Sequence, residues 1–226
     1  MPLLAVQNLH KDFSVGAGQV AAVHGVSFEL DAGQSMGIIG VSGAGKSTLL
    51  HMIGGLETPS SGEVYVRDRA LYAAISRDQL EQYRQRDIGF VFQFHYLIAE
   101  LSALENTMLP LRIQRVPASQ ARQRALAMLE RVGLGPRVDH RPAQMSGGEQ
   151  QRAALARALV HEPAILLADE PTGNLDSTTG DEIGDLLIGL CREKAMALVV
   201  VTHNDALAAR MDRVIEMRGG ELAQRA

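Results

Sequence analysis

The chain has 226 residues, a net charge of −4 and a hydrophobic content of 46%, which suffices for one substantial core but not for two average domains. This charge excludes an extended basic face, so we do not expect binding to nucleic acid. The single cysteine, Cys191, excludes an intrachain disulfide and is typical of a reducing compartment. The longest apolar run, residues 195–201, is far shorter than the roughly 18 residues that span a bilayer. We therefore expect one cytosolic domain over residues 1–226, which reaches a membrane only through a partner.

The order of the predicted elements indicates an α/β fold. The first 35 residues alternate in polarity and turn often, which predicts an antiparallel β region. Helix-forming stretches occupy residues 118–132 and 149–161. The β-type runs lie at residues 37–39, 88–92, 165–168 and 198–202. Because the last two runs are continuously apolar, they predict a mostly parallel sheet covered on both faces. We expect a core of about residues 1–94 and 161–226, with a helical lobe at about 95–160.

A glycine-rich run, GVSGAGKST, follows the first of these strands and matches the phosphate-loop pattern G-x-x-x-x-G-K-[ST]. Its glycines let successive N–H groups face one anion, Lys46 adds a full charge near the β and γ phosphates, and the Ser47 hydroxyl can ligate Mg²⁺. The phosphate-binding candidates are Gly40, Ser42, Gly43, Ala44, Gly45, Lys46, Ser47 and Thr48. The pattern predicts a nucleoside triphosphate but leaves kinases, GTPases and motors open.

Polar residues follow three other predicted strands. The run ILLADE ends in Asp169, which can hold Mg²⁺, and Glu170, which can accept a hydrogen bond from the attacking water. His203 follows the strand that ends at Val201, and it can reach the γ phosphate at the carboxyl edge of a parallel sheet. Gln93 ends the run IGFVFQ, where its amide can ligate Mg²⁺ or orient water. Considered alone, His203 and Gln93 are more simply interpreted as ordinary polar residues at strand ends.

The run MSGGEQQR, residues 145–152, has the polarity of a phosphate site without a lysine. Ser146 can cap the following helix, while Gly147 and Gly148 expose backbone N–H groups at its positive end. Such a site can help to bind phosphate but cannot hold a nucleotide alone. An ordinary helix N-terminus would look the same.

Together, these runs resemble the nucleotide-binding subunits of ABC transporters in order and spacing over nearly the full chain. The segments are GVSGAGKST, Gln93, MSGGEQQR, ILLADE, NLDS at residues 174–177 and VVVTH ending at His203. The resemblance implies a RecA-like P-loop NTPase core with an inserted α-helical lobe, and ATP and Mg²⁺ as cofactors. It also implies a head-to-tail homodimer with two ATP molecules at its interface.

The resemblance further implies roles for individual residues. In the dimer, Ser146, Gly147, Gly148 and Glu149 of one subunit close over the ATP held by Lys46 of the other, and Asp176 touches the opposite site. The implied catalytic residues are Lys46, Gln93, Glu170 and His203, and the implied metal ligands are Ser47, Gln93 and Asp169. Phe13 falls where the family usually has a Tyr that stacks on adenine, although it could equally be a core aromatic. At three positions the chain differs from the residue that is commoner in the family: Met145 stands in place of Leu, Glu149 in place of Gln and Asn204 in place of Asp. None of these changes removes a chemically required group.

Three longer runs resemble one group within the family, the free-standing ATPases of lipoprotein-releasing and macrolide-exporting systems. They are QFHYLIAELSALENTMLPL, HRPAQMSGGEQQR and ADEPTGNLD. This resemblance implies a peripheral ATPase on the cytoplasmic face of the inner membrane that energises lipoprotein release. A different exporter ATPase of the group, or a regulatory cell-division ATPase, remains an alternative.

Aromatic residues are concentrated in the second predicted strand and in the loop after it. Phe90 and Phe92 should be buried strand residues. Phe94, Tyr96, Leu97 and Ile98 lie beyond the strand, where an apolar cluster favours a partner surface. The family resemblance implies contact with membrane permease subunits near Phe94, His95 and Tyr96. The alternative is packing beneath the helical lobe.

Overall fold

The computed structural model describes residues 1–16, 18–73 and 75–224, and within these ranges the chain forms two sheets and seven α-helices. The strands are β1 (Leu4–Val15), β2 (Gly18–Leu30), β3 (Ser35–Ile39), β4 (Ser61–Val66), β5 (Arg69–Ala70), β6 (Ile88–Phe92), β7 (Ile165–Asp169), β8 (Ala197–Thr202), β9 (Arg213–Arg218) and β10 (Glu221–Gln224). The helices are α1 (Lys46–Ile53), α2 (Arg77–Arg86), α3 (Ala103–Ile113), α4 (Ala118–Arg131), α5 (Gly147–Leu159), α6 (Ser177–Glu193) and α7 (Asp205–Ala208). No helix of these described ranges is long and apolar enough to cross a membrane.

The amino-terminal sheet is antiparallel, as the alternating sequence predicted. Its order is β2-β1-β4-β5, and β1 pairs with β2 from Leu4↔Leu30 onward. Toward the end of β2, buried and exposed residues alternate, because one face packs on the core while the other faces water. This sheet buries α1 from one side.

The second sheet carries the strand ends that matter for function. Its order is β10-β9-β3-β8-β7-β6, and all its neighbouring pairs except β10·β9 are parallel. Residues 165–168 of β7 and every residue of β8 are buried, in agreement with the continuous hydrophobicity of these two runs, and every residue of β3 is buried as well. Parallel pairing brings the carboxyl ends of β3, β6, β7 and β8 to one edge, where Phe92 lies opposite Asp169 and Ile39 opposite Thr202. The predicted α/β fold with a mostly parallel sheet is confirmed.

Helices α3, α4 and α5 pack on one another between β6 and β7 in the chain. On α4, Ala121, Ala125 and Leu129 are fully buried at four-residue spacing, which is the pattern of one helix face. Helix α5 begins two residues before the predicted start, because Ser146 caps it and the glycines enter its first turn. We keep a helical lobe at about residues 95–160 as a proposal, supported by this mutual packing.

Cys191 lies buried on α6, as expected of a small apolar residue. Burial raises the pKa of its thiol to about 12. The thiol therefore stays protonated and unreactive near neutral pH.

Candidate nucleotide site

The loop between β3 and α1 can be built only with glycine at two positions. Gly40 has φ 156° and Gly45 has φ 96°, both in the region that disfavours L side chains. A Cβ on Gly40 would lie 2.3 Å from the carbonyl oxygen of Met217, and one on Gly45 would lie 2.0 Å from that of Ala22. The loop is therefore packed closely against the rest of the core at both positions.

Lys46 is the first residue of α1, and its ammonium group is folded back over this loop. Its Nζ donates to the carbonyl oxygens of Gly40 at 2.8 Å and Val41 at 3.0 Å. The residue is buried, yet it has no carboxylate partner among its hydrogen bonds in the described chain. A desolvated cation next to a helix N-terminus is a strong site for phosphate oxygens.

An open cavity of about 990 Å³ lies above the loop. It gathers most of the residues predicted from sequence: Gly40, Ser42, Gly43, Gly45, Lys46, Ser47, Thr48, Gln93, Asp169, Glu170 and His203. Ala44 is not part of this lining, because its side chain is buried beneath the loop. The other predicted residues, Phe13, Ser146, Gly147, Gly148, Glu149 and Asp176, lie outside the lining as well.

Glu170 is held in one orientation by its neighbours on β8. Its Oε2 accepts hydrogen bonds from Thr202 Oγ1 at 3.0 Å and from the His203 backbone N–H at 3.2 Å, while its Oε1 lies 2.8 Å from His203 Nδ1. The residue also has φ 47°, a left-handed conformation that needs support from its surroundings. A carboxylate fixed in this way at the mouth of the cavity can orient a water and accept its proton. The contribution of Thr202 was not predicted from the sequence.

Asp169 and Ser47 provide oxygen ligands at the inner end of the cavity. The Ser47 hydroxyl hydrogen-bonds to the Asp169 carboxylate, whose pKa is raised mainly by burial. No cluster of three or more His, Cys, Asp or Glu side chains suited to a metal occurs among the described residues. One carboxylate and one hydroxyl fit Mg²⁺, which typically takes its remaining ligands from waters and substrate phosphates.

Gln93 is connected to the segment that follows Glu170. Its Nε2 donates to Asn174 Oδ1 at 2.9 Å, and Asn174 Nδ2 donates to the Gln93 carbonyl at 3.1 Å. This reciprocal pair fixes the Gln93 side chain on the segment after Glu170, and both residues line the cavity.

Two of the predicted residues outside the cavity act as helix caps within the chain. Ser146 Oγ accepts from the Glu149 N–H at 3.2 Å, and Glu149 Oε2 accepts from the Ser146 N–H at 2.8 Å, which completes a capping box. That Ser146 backbone bond, together with the guanidinium of Arg137, lowers the pKa of Glu149. Asp176 Oδ1 caps α6 by accepting from the Thr179 N–H at 3.0 Å. The first-turn glycines of α5 lie next to this second capped segment, with Gly147 beside Leu175 and Gly148 beside Thr179, and neither lines this chain's own cavity.

Phe13 lies on β1 and is 37% exposed. Its ring lies 4.9 Å from Lys11 Nζ, within the range of a cation–π contact. The prediction that it stacks on adenine is therefore compatible with its exposure and stays a prediction.

The aromatic loop after β6 is largely exposed. Phe94 is 62% and Tyr96 65% exposed, and Ile98 is exposed as well, so packing of these three side chains beneath the helices is excluded. Leu97 was wrongly grouped with them, because it packs against the core. Phe90 and Phe92 were expected to be buried but are only half-buried, and their rings stack 5.4 Å apart.

Two side chains of α5 hold segments around the cavity and were missed by sequence analysis. Arg157 donates to the carbonyl oxygens of His95 at 2.7 Å and Tyr96, and Gln151 donates to those of Phe92 and Pro171. The sequence did contain a sign of these two roles: both polar residues lie in a helix whose other buried residues are mostly Ala and Leu. A polar residue on a buried helix face needs a partner.

A phosphate loop after β3, paired carboxylates after β7 and a polar cluster after β8 define a P-loop nucleoside triphosphatase. Residues 23–173 match the family model described as ABC transporter. The chain belongs to the ABC transporter family and is an ATP-hydrolysing member of it.

The chain is similar to several curated relatives over nearly its full length. It is 49% identical to the lipoprotein-releasing system ATP-binding protein LolD of Syntrophus aciditrophicus, over 97% of this chain and 98% of that protein. It is 47% identical to LolD of Myxococcus xanthus, over 99% of this chain and 100% of that protein. Among solved structures, a dimeric ATP-binding cassette in a post-hydrolysis state with ADP and Pi is 40% identical, with a TM-score of 0.90 over 98% of this chain and 97% of that one.

Proposed function

We propose that this chain is the ATPase subunit of an inner-membrane complex that releases lipoproteins from that membrane. The observation that carries the proposal is the exposed aromatic loop after Gln93, which joins the ATP cavity to a free apolar surface. Two relatives named for lipoprotein release, LolD of Myxococcus xanthus and LolD of Hydrogenovibrio crunogenus, are 47% and 46% identical over 100% and 94% of their own length. A peripheral position on the cytoplasmic face follows from this proposal.

In the proposed reaction, Lys46 and the backbone N–H groups of the loop bind the β and γ phosphates. Glu170, oriented by Thr202 and His203, accepts the proton of the attacking water, and His203 and Gln93 contact the γ phosphate side of the site. Mg²⁺ would be held by Ser47, Asp169 and Gln93 and would neutralise phosphate charge. Phe13 would stack on adenine.

We place the second half of each site on another copy of the chain. Ser146, Gly147, Gly148 and Glu149 lie outside the cavity of their own chain, at the positive end of a helix of 13 residues. The similar solved cassettes are described as dimeric. A head-to-tail homodimer would bring this helix end, together with Asp176, to the ATP of the other subunit.

The Ser146→Arg variant tests this arrangement. It should bind ATP as a monomer with an affinity within about twofold of the wild type, because no Lys46-side contact is changed, but it should not dimerise. The measurement is size-exclusion chromatography with ATP in the Glu170→Gln background. Ser102→Arg, at the similarly capped start of α3, is the matched control for losing a capping serine. An ATP-dependent dimer of Ser146→Arg would contradict the proposal.

We propose that the loop around Phe94, His95 and Tyr96 binds the permease. Arg157 is half-buried and donates to the carbonyl oxygens of His95 and Tyr96, so the loop backbone is anchored. The Phe94 and Tyr96 side chains stay largely exposed, although both line the cavity and the Tyr96 ring lies edge-on to Phe92. Because the backbone is anchored, a displacement of Phe94 by the permease would be transmitted to the adjacent Gln93, which lines the ATP cavity.

Phe94→Ala and Tyr96→Ala should spare ATP binding and reduce recovery of the permease at least about fivefold, because large exposed aromatics are typical binding anchors. Recovery is measured by pull-down from detergent-solubilised membranes. Val20→Ala, which removes an exposed apolar side chain from the antiparallel sheet, should not alter recovery. Wild-type recovery with both loop variants would place the permease contact elsewhere.

Reconstitution tests the cargo. The complex that co-purifies with the tagged chain is placed in liposomes containing a lipidated protein, and ATP should release that protein into the aqueous phase. Release of a small apolar compound instead would indicate a macrolide-type exporter. Recovery of cell-wall hydrolases without transport would indicate a regulatory ATPase, as in cell division.

A further inference from the structure

Gln151 connects helix α5 to the two chain segments that carry Gln93 and Glu170. It lies in the second turn of the helix and is 1% exposed. Its Nε2 donates to the carbonyl oxygen of Pro171 at 2.6 Å and to that of Phe92 at 3.3 Å. Each acceptor belongs to a residue next to a cavity residue, because Phe92 precedes Gln93 and Pro171 follows Glu170.

The two hydrogen bonds of Gln151 lie where strands β6 and β7 end. The β6·β7 pairing ends at Phe92↔Asp169, and beyond that pair the two strands no longer pair with each other. The Gln151 amide bridges them just past this last pair, so it sets the spacing of the two strand ends. Glu170 also has a left-handed backbone, which persists only where its neighbours hold it in place.

The oxygen of the same amide, Oε1, has no hydrogen-bond partner among the described residues. This oxygen is also buried. A buried acceptor without a partner destabilises the fold, so the side chain is a poor choice for stability alone. Its two donated bonds are what it contributes.

We propose that Gln151 is a positioning residue for ATP hydrolysis, which holds Gln93 and Glu170 at their working separation. Since Ser146 caps α5, a shift of this helix start moves the Gln151 amide and both strand ends with it. Closure of the helix start on the nucleotide of a second subunit therefore alters the hydrolytic site of its own subunit. This last step rests on the proposed dimer, whereas positioning within one chain does not.

Gln151→Met tests the positioning role, because Met keeps the length of the side chain and removes both donors together with the partnerless oxygen. The kcat for ATP should fall at least about tenfold, since small displacements of catalytic groups have large effects on rate, while the KM should stay within about twofold. The melting temperature should change little, because the lost bonds are offset by removal of the unsatisfied acceptor.

Gln114→Met is the matched control. The Gln114 amide also ties a helix, α3, to a backbone carbonyl of the core, that of Gln85, but away from the strand ends. This variant should keep a wild-type kcat. A wild-type kcat for Gln151→Met, or an equal loss of kcat in both variants, would overturn the positioning role.

Gln151→Glu supplies a rescue that depends on pH. A carboxylate repels both carbonyl oxygens, but the neutral acid can donate one hydrogen bond, and burial raises the pKa of such a carboxyl. The ratio of its kcat to that of the wild type should therefore rise as the pH falls from about 8 to about 6. A ratio independent of pH would count against the proposal.

Failure of this inference can be told apart from failure of the proposed function. Glu170→Gln alone and Gln151→Met with Glu170→Gln should both dimerise with ATP on a sizing column. If neither dimerises, the proposed dimer is wrong, whereas the single-chain role is still decided by kcat. If only the double variant fails, Gln151 acts on closure and the positioning role is overturned.

Discussion

Replacing Glu170 by Gln is expected to abolish ATP turnover and to trap a stable ATP-bound dimer. The amide keeps the size of the side chain and can still accept a hydrogen bond from Thr202 Oγ1, but it cannot take a proton from water. The binding groups around Lys46 are unchanged. We therefore expect turnover to fall at least about 100-fold while the affinity for ATP is retained.

Phosphate release and the elution volume with ATP are the two measurements for Glu170→Gln. The matched control is Glu162→Gln, because Glu162 precedes the opposite end of β7 and pairs with Lys194 on the surface. This control should hydrolyse ATP at the wild-type rate and should elute as the wild type does. Normal hydrolysis by Glu170→Gln would remove Glu170 from the role of general base.

Lys46→Ala should abolish ATP binding, with a loss of affinity of at least about 100-fold, because a buried cation beside phosphate oxygens makes strong charge-assisted bonds. Among the described residues, the Lys46 ammonium donates hydrogen bonds to the loop carbonyls of Gly40 and Val41, so we expect the substitution to change the stability of the fold little. Titration calorimetry measures the affinity, and thermal unfolding should show a melting temperature close to that of the wild type.

The control for Lys46→Ala is Lys194→Ala, which removes a surface lysine from its pair with Glu162. Surface ion pairs contribute little to stability, so this variant should bind ATP normally and melt close to the wild-type temperature. Retained ATP binding in Lys46→Ala would mean that the loop N–H groups suffice without the ammonium, and it would contradict the assigned role.

Local sequence patterns predicted the sheet and the start of the site. The run that became β6 was predicted with its exact bounds at residues 88–92, because a short apolar segment between polar flanks has few alternatives. The loop residues Gly40 and Gly45 were found because close backbone approach admits no other residue type. Boundaries of α5 were less accurate, since a capping serine followed by two glycines hides the first turn.

The side chains around the aromatic loop show where such patterns fail. Leu97 and its neighbours Tyr96 and Ile98 are all apolar, and hydrophobicity alone does not say which of them faces water. The structure partly buries Leu97 against the core and exposes the other two. The difference depends on which elements pack nearby, which is information distant in the chain.

The sequence by itself determined the chemical groups of this protein: a phosphate loop with Lys46, a pair of carboxylates at a strand end, and a helix start at Ser146 that lacks a lysine. Tertiary structure alone decided how these groups are held. Glu170 is oriented by Thr202 and His203, which lie 32 and 33 residues further along the chain. Gln151 donates to Phe92, which lies 59 residues before it. Local propensity and periodicity act over one or two turns, whereas these contacts exist only after the parallel strands align and their ends meet at one edge.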